Sequence, residues 1–267
     1  MPVVKSGSVN IHYETYGDGD PLLLIMGLGM PGAVWIPSLP LLPGFKCIYF
    51  DNRGTGTSDR PDLPYTVRDM AEDAIAILDD LHLPKAHVYG MSMGGMIAQE
   101  LALNHPERVK KLVLGCTWAG GPTVRLPAPE TMAKLIQGAT MLRTDREKGI
   151  DILLPVLLPP EFIGAHPEVR AMIMAGLAGG QVAPLETVQL AVLALMQFNA
   201  HDRLPGVKCP VLIVHGEKDV LIPPENAAIL KSRIPHAEVY RIPNAGHAYP
   251  ITNLLDVHQR IVAFLQA

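Results

Sequence analysis

His87-Val88-Tyr89-Gly90-Met91-Ser92-Met93-Gly94-Gly95 decides the reading of this chain. An apolar stretch with strand character, Ala86–Tyr89, runs into a G-x-S-x-G turn, and Met93–Asn104 follows with helical spacing. A sharp strand-to-helix turn forces its central residue into a costly backbone conformation, so small residues must flank it. Such a turn lifts the Ser92 hydroxyl above a sheet edge. It also aims the free N–H groups of a helix N-terminus at any negative charge that develops there. A glycine-rich turn packed tightly on a sheet would explain the same letters without chemistry. The strand before and the helix after favour a nucleophile.

Working outward, Leu22–Met26 and Lys46–Phe50 are continuous apolar runs, as expected of strands buried on both faces. Val9–Tyr16, Lys111–Gly115, Pro210–His215 and Ala237–Ile242 also read as strands. Thr66–Leu81 has apolar residues at helical spacing, with Thr66 as N-cap and Pro84 beyond its end. Pro224–Arg233 and Ile251–Gln266 read as further helices. Alternating strands and helices predict an α/β fold, a mostly parallel twisted sheet with helices on both faces. From Trp118 to Pro205 the alternation stops and the spacing becomes helical, rich in Leu, Ala and Met. The expected division is a core of residues 1–117 and 206–267, with residues 118–205 as a helical cap over one end of the sheet.

The chain has 267 residues, of which 48% are apolar, enough for a sizeable core. Its 22 basic and 26 acidic residues give a net charge of −4 with no block of one sign. That pattern argues against nucleic acid and against an anionic membrane as partners. Cys47, Cys116 and Cys209 form no CxxC pair and read as reduced thiols. The N-terminus lacks a signal-peptide apolar region. Leu22–Met30 is too short to span a bilayer, and Ile150–Leu158 is broken by Pro155. The expectation is a soluble, cytoplasmic protein.

A serine hydroxyl needs a base. His247, in Asn244-Ala245-Gly246-His247, directly follows the last expected strand, where a loop can carry an imidazole over the sheet edge. The imidazole needs an acid to fix its tautomer. Asp219, in His215-Gly216-Glu217-Lys218-Asp219, follows the strand Pro210–His215, with Glu217 as the competitor nearer the strand end. The order Ser, Asp, His is the one that accompanies this turn motif. Two backbone donors are needed for an oxyanion. Met93 N–H, next after the nucleophile, is one; Leu28 N–H, in the loop Met26-Gly27-Leu28-Gly29, is assigned as the other.

With these residues in place, the chain resembles the α/β-hydrolase superfamily, in its esterase, lactonase and enol-lactonase branch. Asp51-Asn52-Arg53-Gly54-Thr55-Gly56-Thr57-Ser58 is similar to the superfamily's D-x-R-G-x-G-x-S loop, and His105-Pro106-Glu107-Arg108-Val109 to its H-P-x-R-V segment. The acid and base loops also match, and the resemblance covers nearly the whole chain except the helical insertion. It implies the α/β-hydrolase fold and an acyl-enzyme mechanism, and leaves the substrate open. Many members carry His-Gly where this chain has Met26-Gly27; the donor there is still a backbone N–H. Arg53 reads as a cation that organises loops near the site.

Trp35, Met91, Trp118, Met141 and Val220 are the candidate pocket residues. Methionines in the insertion (Met132, Met141, Met172, Met174, Met196) suggest a mainly apolar substrate, although any single one is more simply core packing. The expected substrate is a small or medium ester or lactone, and the chain a monomer or homodimer. A C–C bond hydrolase or an acyltransferase would use the same three residues. A dehalogenase or epoxide hydrolase would need Asp in place of Ser92. A small-ligand receptor that keeps a hydrolase pocket is the non-enzyme alternative. No cofactor or metal is expected: GxGxxG, GxxxxGK[ST] and metal-ligand spacings do not occur.

Overall fold

A computed structural model describes residues 2–61, 64–178 and 184–267. Eight strands form one sheet: β1 (Val3–Ser6), β2 (Val9–Tyr16), β3 (Asp20–Ile25), β4 (Phe45–Phe50), β5 (Ala86–Met91), β6 (Val109–Gly115), β7 (Val211–Gly216) and β8 (Glu238–Ile242). Their spatial order is β1-β2-β4-β3-β5-β6-β7-β8. β2 pairs antiparallel with β1 and β4, and every later pairing is parallel.

The central strands explain the two layers. Side chains alternate across a strand. Leu23, Ile25 and Val88 enter one apolar layer, and Leu22, Leu24 and Tyr89 the other. The first layer is covered by α1 (Val67–Asp80) and α2 (Met93–Asn104). α1 buries Met70, Ala74, Ile77 and Leu78 at helical spacing, and Thr66 and Asp69 close a reciprocal capping box at its start. Burying each of Met70, Ile77 and Leu78 contributes about 1.5–3 kcal/mol.

Between β6 and β7 lie α3 (Pro129–Met141), α4 (Arg146–Leu157), α5 (Pro160–Ala165), α6 (Glu168–Ala178) and α7 (Leu185–Gln197). They carry their own small cluster of Ile150, Leu154, Leu158 and Val169. The two ends of this insertion meet in an antiparallel bridge between Gly120 and Asn199, where Ala200 N–H donates to the Ala119 carbonyl at 2.9 Å. After β7 come α8 (Glu225–Arg233), then α9 (Tyr249–Thr252) and α10 (Leu254–Gln266), the last covering the second layer.

Several expectations need correction. The single closing helix Ile251–Gln266 is two, broken at Asn253 with φ −134°. β1 and a 3-10 segment, Gly32–Leu41, were not foreseen. α4 runs through Pro155, which has no N–H to donate to the Asp151 carbonyl one turn back and so costs the helix one backbone bond in its last turn. Trp35 is not a pocket wall: it lies in the second layer, 2% exposed, its ring 4.8 Å from that of Tyr89. Met91 is buried in the same layer. Among the described residues, no helix is long and apolar enough to cross a membrane.

Candidate active site

Ser92 sits between β5 and α2 with φ 58° and ψ −121°, a left-handed conformation that is strained for a non-glycine residue. The turn fits only because Gly94 is bare: a Cβ there would lie 2.1 Å from the Ile25 carbonyl oxygen. Ser92 N–H donates to the Gly115 carbonyl at 2.8 Å, and the Thr117 hydroxyl donates to the Ser92 carbonyl at 2.8 Å. The serine is thus tied to the end of β6 from both sides of its peptide.

The loops after β7 and β8 supply the other two groups. Lys218 N–H donates to the Ala245 carbonyl at 2.8 Å, stitching the acid loop to the base loop. His247 Nε2 lies 3.1 Å from Ser92 Oγ, and His247 Nδ1 lies 2.8 Å from Asp219 Oδ2. With the ring proton on Nδ1, the imidazole donates to Asp219 and accepts from Ser92. Asp219 Oδ1 accepts the N–H groups of Leu221 and Ile222 at 2.9 and 2.8 Å, which fixes the carboxylate. Glu217 points to solvent, so the competitor is excluded.

Asp219 and His247 are 2% and 6% exposed. Burial alone would raise the Asp219 carboxyl, but the His247 charge and the hydrogen bonds from His215 and His247 hold it at about 2. Burial alone would likewise lower His247. The charge and hydrogen bond of Asp219, with those of the neighbouring Cys116, outweigh it and raise the imidazole well above 6.5.

The loop after β3 runs beside the serine: a Cβ on Gly27 would lie 3.1 Å from Ser92 Cβ and 3.5 Å from its hydroxyl oxygen. Leu28 and Met93 line one small crevice, walled on the far side by Thr187, Val188 and Ala191 of α7. Neither Leu28 N–H nor Met93 N–H has an acceptor among the described residues. Asn52 Nδ2 donates to the Met26 carbonyl at 2.9 Å and so holds this loop in place. Asp51 accepts from Gly32 N–H and Thr57 N–H, both at 2.8 Å. Arg53 reaches the buried Asp73 through Nε at 2.7 Å and Nη2 at 2.6 Å. Arg53 also lines the crevice, but the bidentate partner of its guanidinium, Asp73, is on α1.

The remaining candidates scatter. Val220, 47% exposed, lines a crevice of about 360 Å³ that runs from Asp219 to the Pro155–Glu161 corner of the insertion. Trp118 is half-buried against the first layer, its carbonyl accepting from Gln99. Met141, at the end of α3, lines neither crevice. Three residues near the relay had no assigned part in the sequence reading. His215 donates from Nε2 to the Ile222 carbonyl at 2.8 Å, within 3.5 Å of Asp219 Oδ2. Asn52 holds the Met26 loop, and Cys116 lies under the relay at the end of β6. His215 and Asn52 both lie in matched loop motifs, Asn52 at a variable position, whereas Cys116 lies in none.

The chain is also similar in sequence and fold to known hydrolases. A Caulobacter segnis protein named "Putative carbamate hydrolase RutD" is 31% identical, covering 98% of this chain and 99% of its own. The enol-lactonase from Burkholderia xenovorans LB400 superposes with a TM-score of 0.84 at 25% identity, covering 100% of both chains. Est816, described as an N-acyl homoserine lactone degrading enzyme, gives a TM-score of 0.80 at 28% identity, covering 98% of this chain and 100% of its own. The sequence model of the alpha/beta hydrolase fold matches residues 20–254. This chain is therefore a member of the alpha/beta hydrolase fold family and, like its relatives, a hydrolase.

Proposed function

We propose that the protein is a serine hydrolase that cleaves carboxylic esters or lactones through an acyl-enzyme on Ser92. The observation that carries this reading is the hydrogen-bonded chain from Asp219 through His247 to a serine held at φ 58°. His247 takes the hydroxyl proton as Ser92 Oγ attacks the acyl carbon. The Leu28 and Met93 N–H groups receive the oxyanion at the N-terminus of α2. The tetrahedral intermediate expels the alkoxide, which leaves as the alcohol with the proton from His247. Water, deprotonated by the same ring, then releases the acid. The lactone-degrading enzyme Est816 and the enol-lactonase support the choice of ester or lactone. Residues 118–205 act as a cap whose α7 face closes over the oxyanion crevice.

A second reading, favoured by the RutD relatives, is attack on a carbamate carbonyl. The same groups perform it, with an amine or alcohol as leaving group. A panel of acyl esters, lactones and carbamates run against wild type and Ser92→Ala tests both. The variant is expected to lose at least roughly 10³-fold in turnover, and a fluorophosphonate to label Ser92 alone. Undiminished turnover in Ser92→Ala overturns the nucleophile. Labelling without turnover of any acyl substrate favours the receptor alternative.

A further inference from the structure

We propose that Cys116, Asp219 and His247 form a binding site for a thiophilic divalent cation, of the Zn²⁺ or Cd²⁺ type, whose occupancy switches the relay off. The three come from the ends of β6, β7 and β8, and their donor atoms all lie within 4.8 Å of one another. All three are buried. A carboxylate beside an imidazole belongs to the relay and would not by itself indicate a metal. The sulfur is what is added: the thiol lies beside the His247 ring and interacts with it, outside the bonds that run from Asp219 to Ser92.

One sulfur, one imidazole nitrogen and one carboxylate oxygen are a donor set that suits zinc and its heavier congener. With metal–ligand bonds of about 2.0–2.3 Å, a tetrahedral ion brings its donors to about 3.3–3.8 Å apart, so shifts of about 1 Å close the shell. The backbone already aims the sulfur. Cys116 N–H donates to the Val214 carbonyl at 2.8 Å, and the residue is held at φ 37°.

Asp219 faces Nδ1, so a cation shared with that carboxylate sits on Nδ1. Binding sends the thiol proton to solvent and the ring proton from Nδ1 to Nε2. A ring protonated at Nε2 donates to Ser92 and cannot accept its proton. The inhibition rests on the proposed hydrolase reading; the binding does not.

The experiment titrates Zn²⁺ and Cd²⁺ into wild type, Cys116→Ser and Cys116→Ala. It reads metal stoichiometry, the ultraviolet cadmium–thiolate absorption and ester turnover relative to each protein's own metal-free rate. Cys47 and Cys209 remain in all three proteins, so the difference spectrum isolates the Cys116 sulfur. Wild type is expected to bind one ion, show the thiolate band and lose turnover reversibly on chelation. Both variants should need at least about tenfold more metal for the same inhibition and lack the band. Equal inhibition of wild type and variants, or a wild type without stoichiometric metal, overturns the site. If one variant fails to fold, the band and stoichiometry in wild type against the other variant decide. If wild type turns over no acyl substrate, those two readouts still test the site.

Discussion

At the scale of single residues, two features were opaque to the sequence for different reasons. Ser92, Asp219 and His247 were legible because each follows a strand and each has a residue type that acyl chemistry demands. Cys116 and Trp35 were not. A buried cysteine reads the same whether it fills a gap or faces an imidazole, and only the parallel pairing of β6 with β5 and β7 brings it under the relay. Trp35 follows a strand end, as a pocket wall would, but the 3-10 segment carries it under the sheet against Tyr89. The charge of Asp219 beside His247 has a consequence for pH. A general base works unprotonated, and the ring here keeps its proton to a pH well above 6.5. The acid limb of kcat/KM is therefore expected above pH 6.5. Asp219→Asn, which removes the charge, should lower the rate and move that limb to lower pH. A pH profile on an acyl ester, wild type against variant, checks both the position and the direction.

At the scale of elements, hydrophobic period gave β2 and α2 to the residue, since both are long and unambiguous. β1 is four residues, half exposed, and too short to show a period. The strand-to-helix turn at Ser92 is the element on which the proposed chemistry depends, and its tolerance is narrow. In Gly94→Ala the new methyl meets backbone atoms of Ile25 at 2.1 and 2.6 Å, which no rotamer change relieves. The turn must shift, at a cost of about 1–3 kcal/mol. A displacement of about 1 Å at the hydroxyl is enough to lower turnover roughly 10²-fold. Thermal unfolding and ester kinetics on the same preparation should show both losses, with Ser92 still present.

At the scale of the whole molecule, the sheet collects the ends of β3, β5, β6, β7 and β8 at one edge, and the insertion leans on that edge rather than standing apart. Ala248 N–H, next to the imidazole, donates to the Leu157 carbonyl at the end of α4, at 3.0 Å. Leu158, 2% exposed, packs with Ala248 and Ile251 in the insertion's own cluster. Leu158→Ala should cost about 2–5 kcal/mol. It should also lower kcat, because the base loop loses its neighbour. Hydrogen exchange at the Ala248 amide is expected to quicken in the variant, and an unchanged kcat with a lowered Tm would confine Leu158 to packing. The composition of the insertion announced helices but not this contact, because periodicity says which face is apolar and not what that face meets.

The bridge between Gly120 and Asn199 gives that segment a narrow stem, beside the contacts it makes at Ala248. Drift, duplication or exchange of what hangs from the stem leaves the register of β6 and β7 untouched. On the proposed cap reading, descendants of this chain can therefore trade one substrate range for another without renegotiating how the sheet folds.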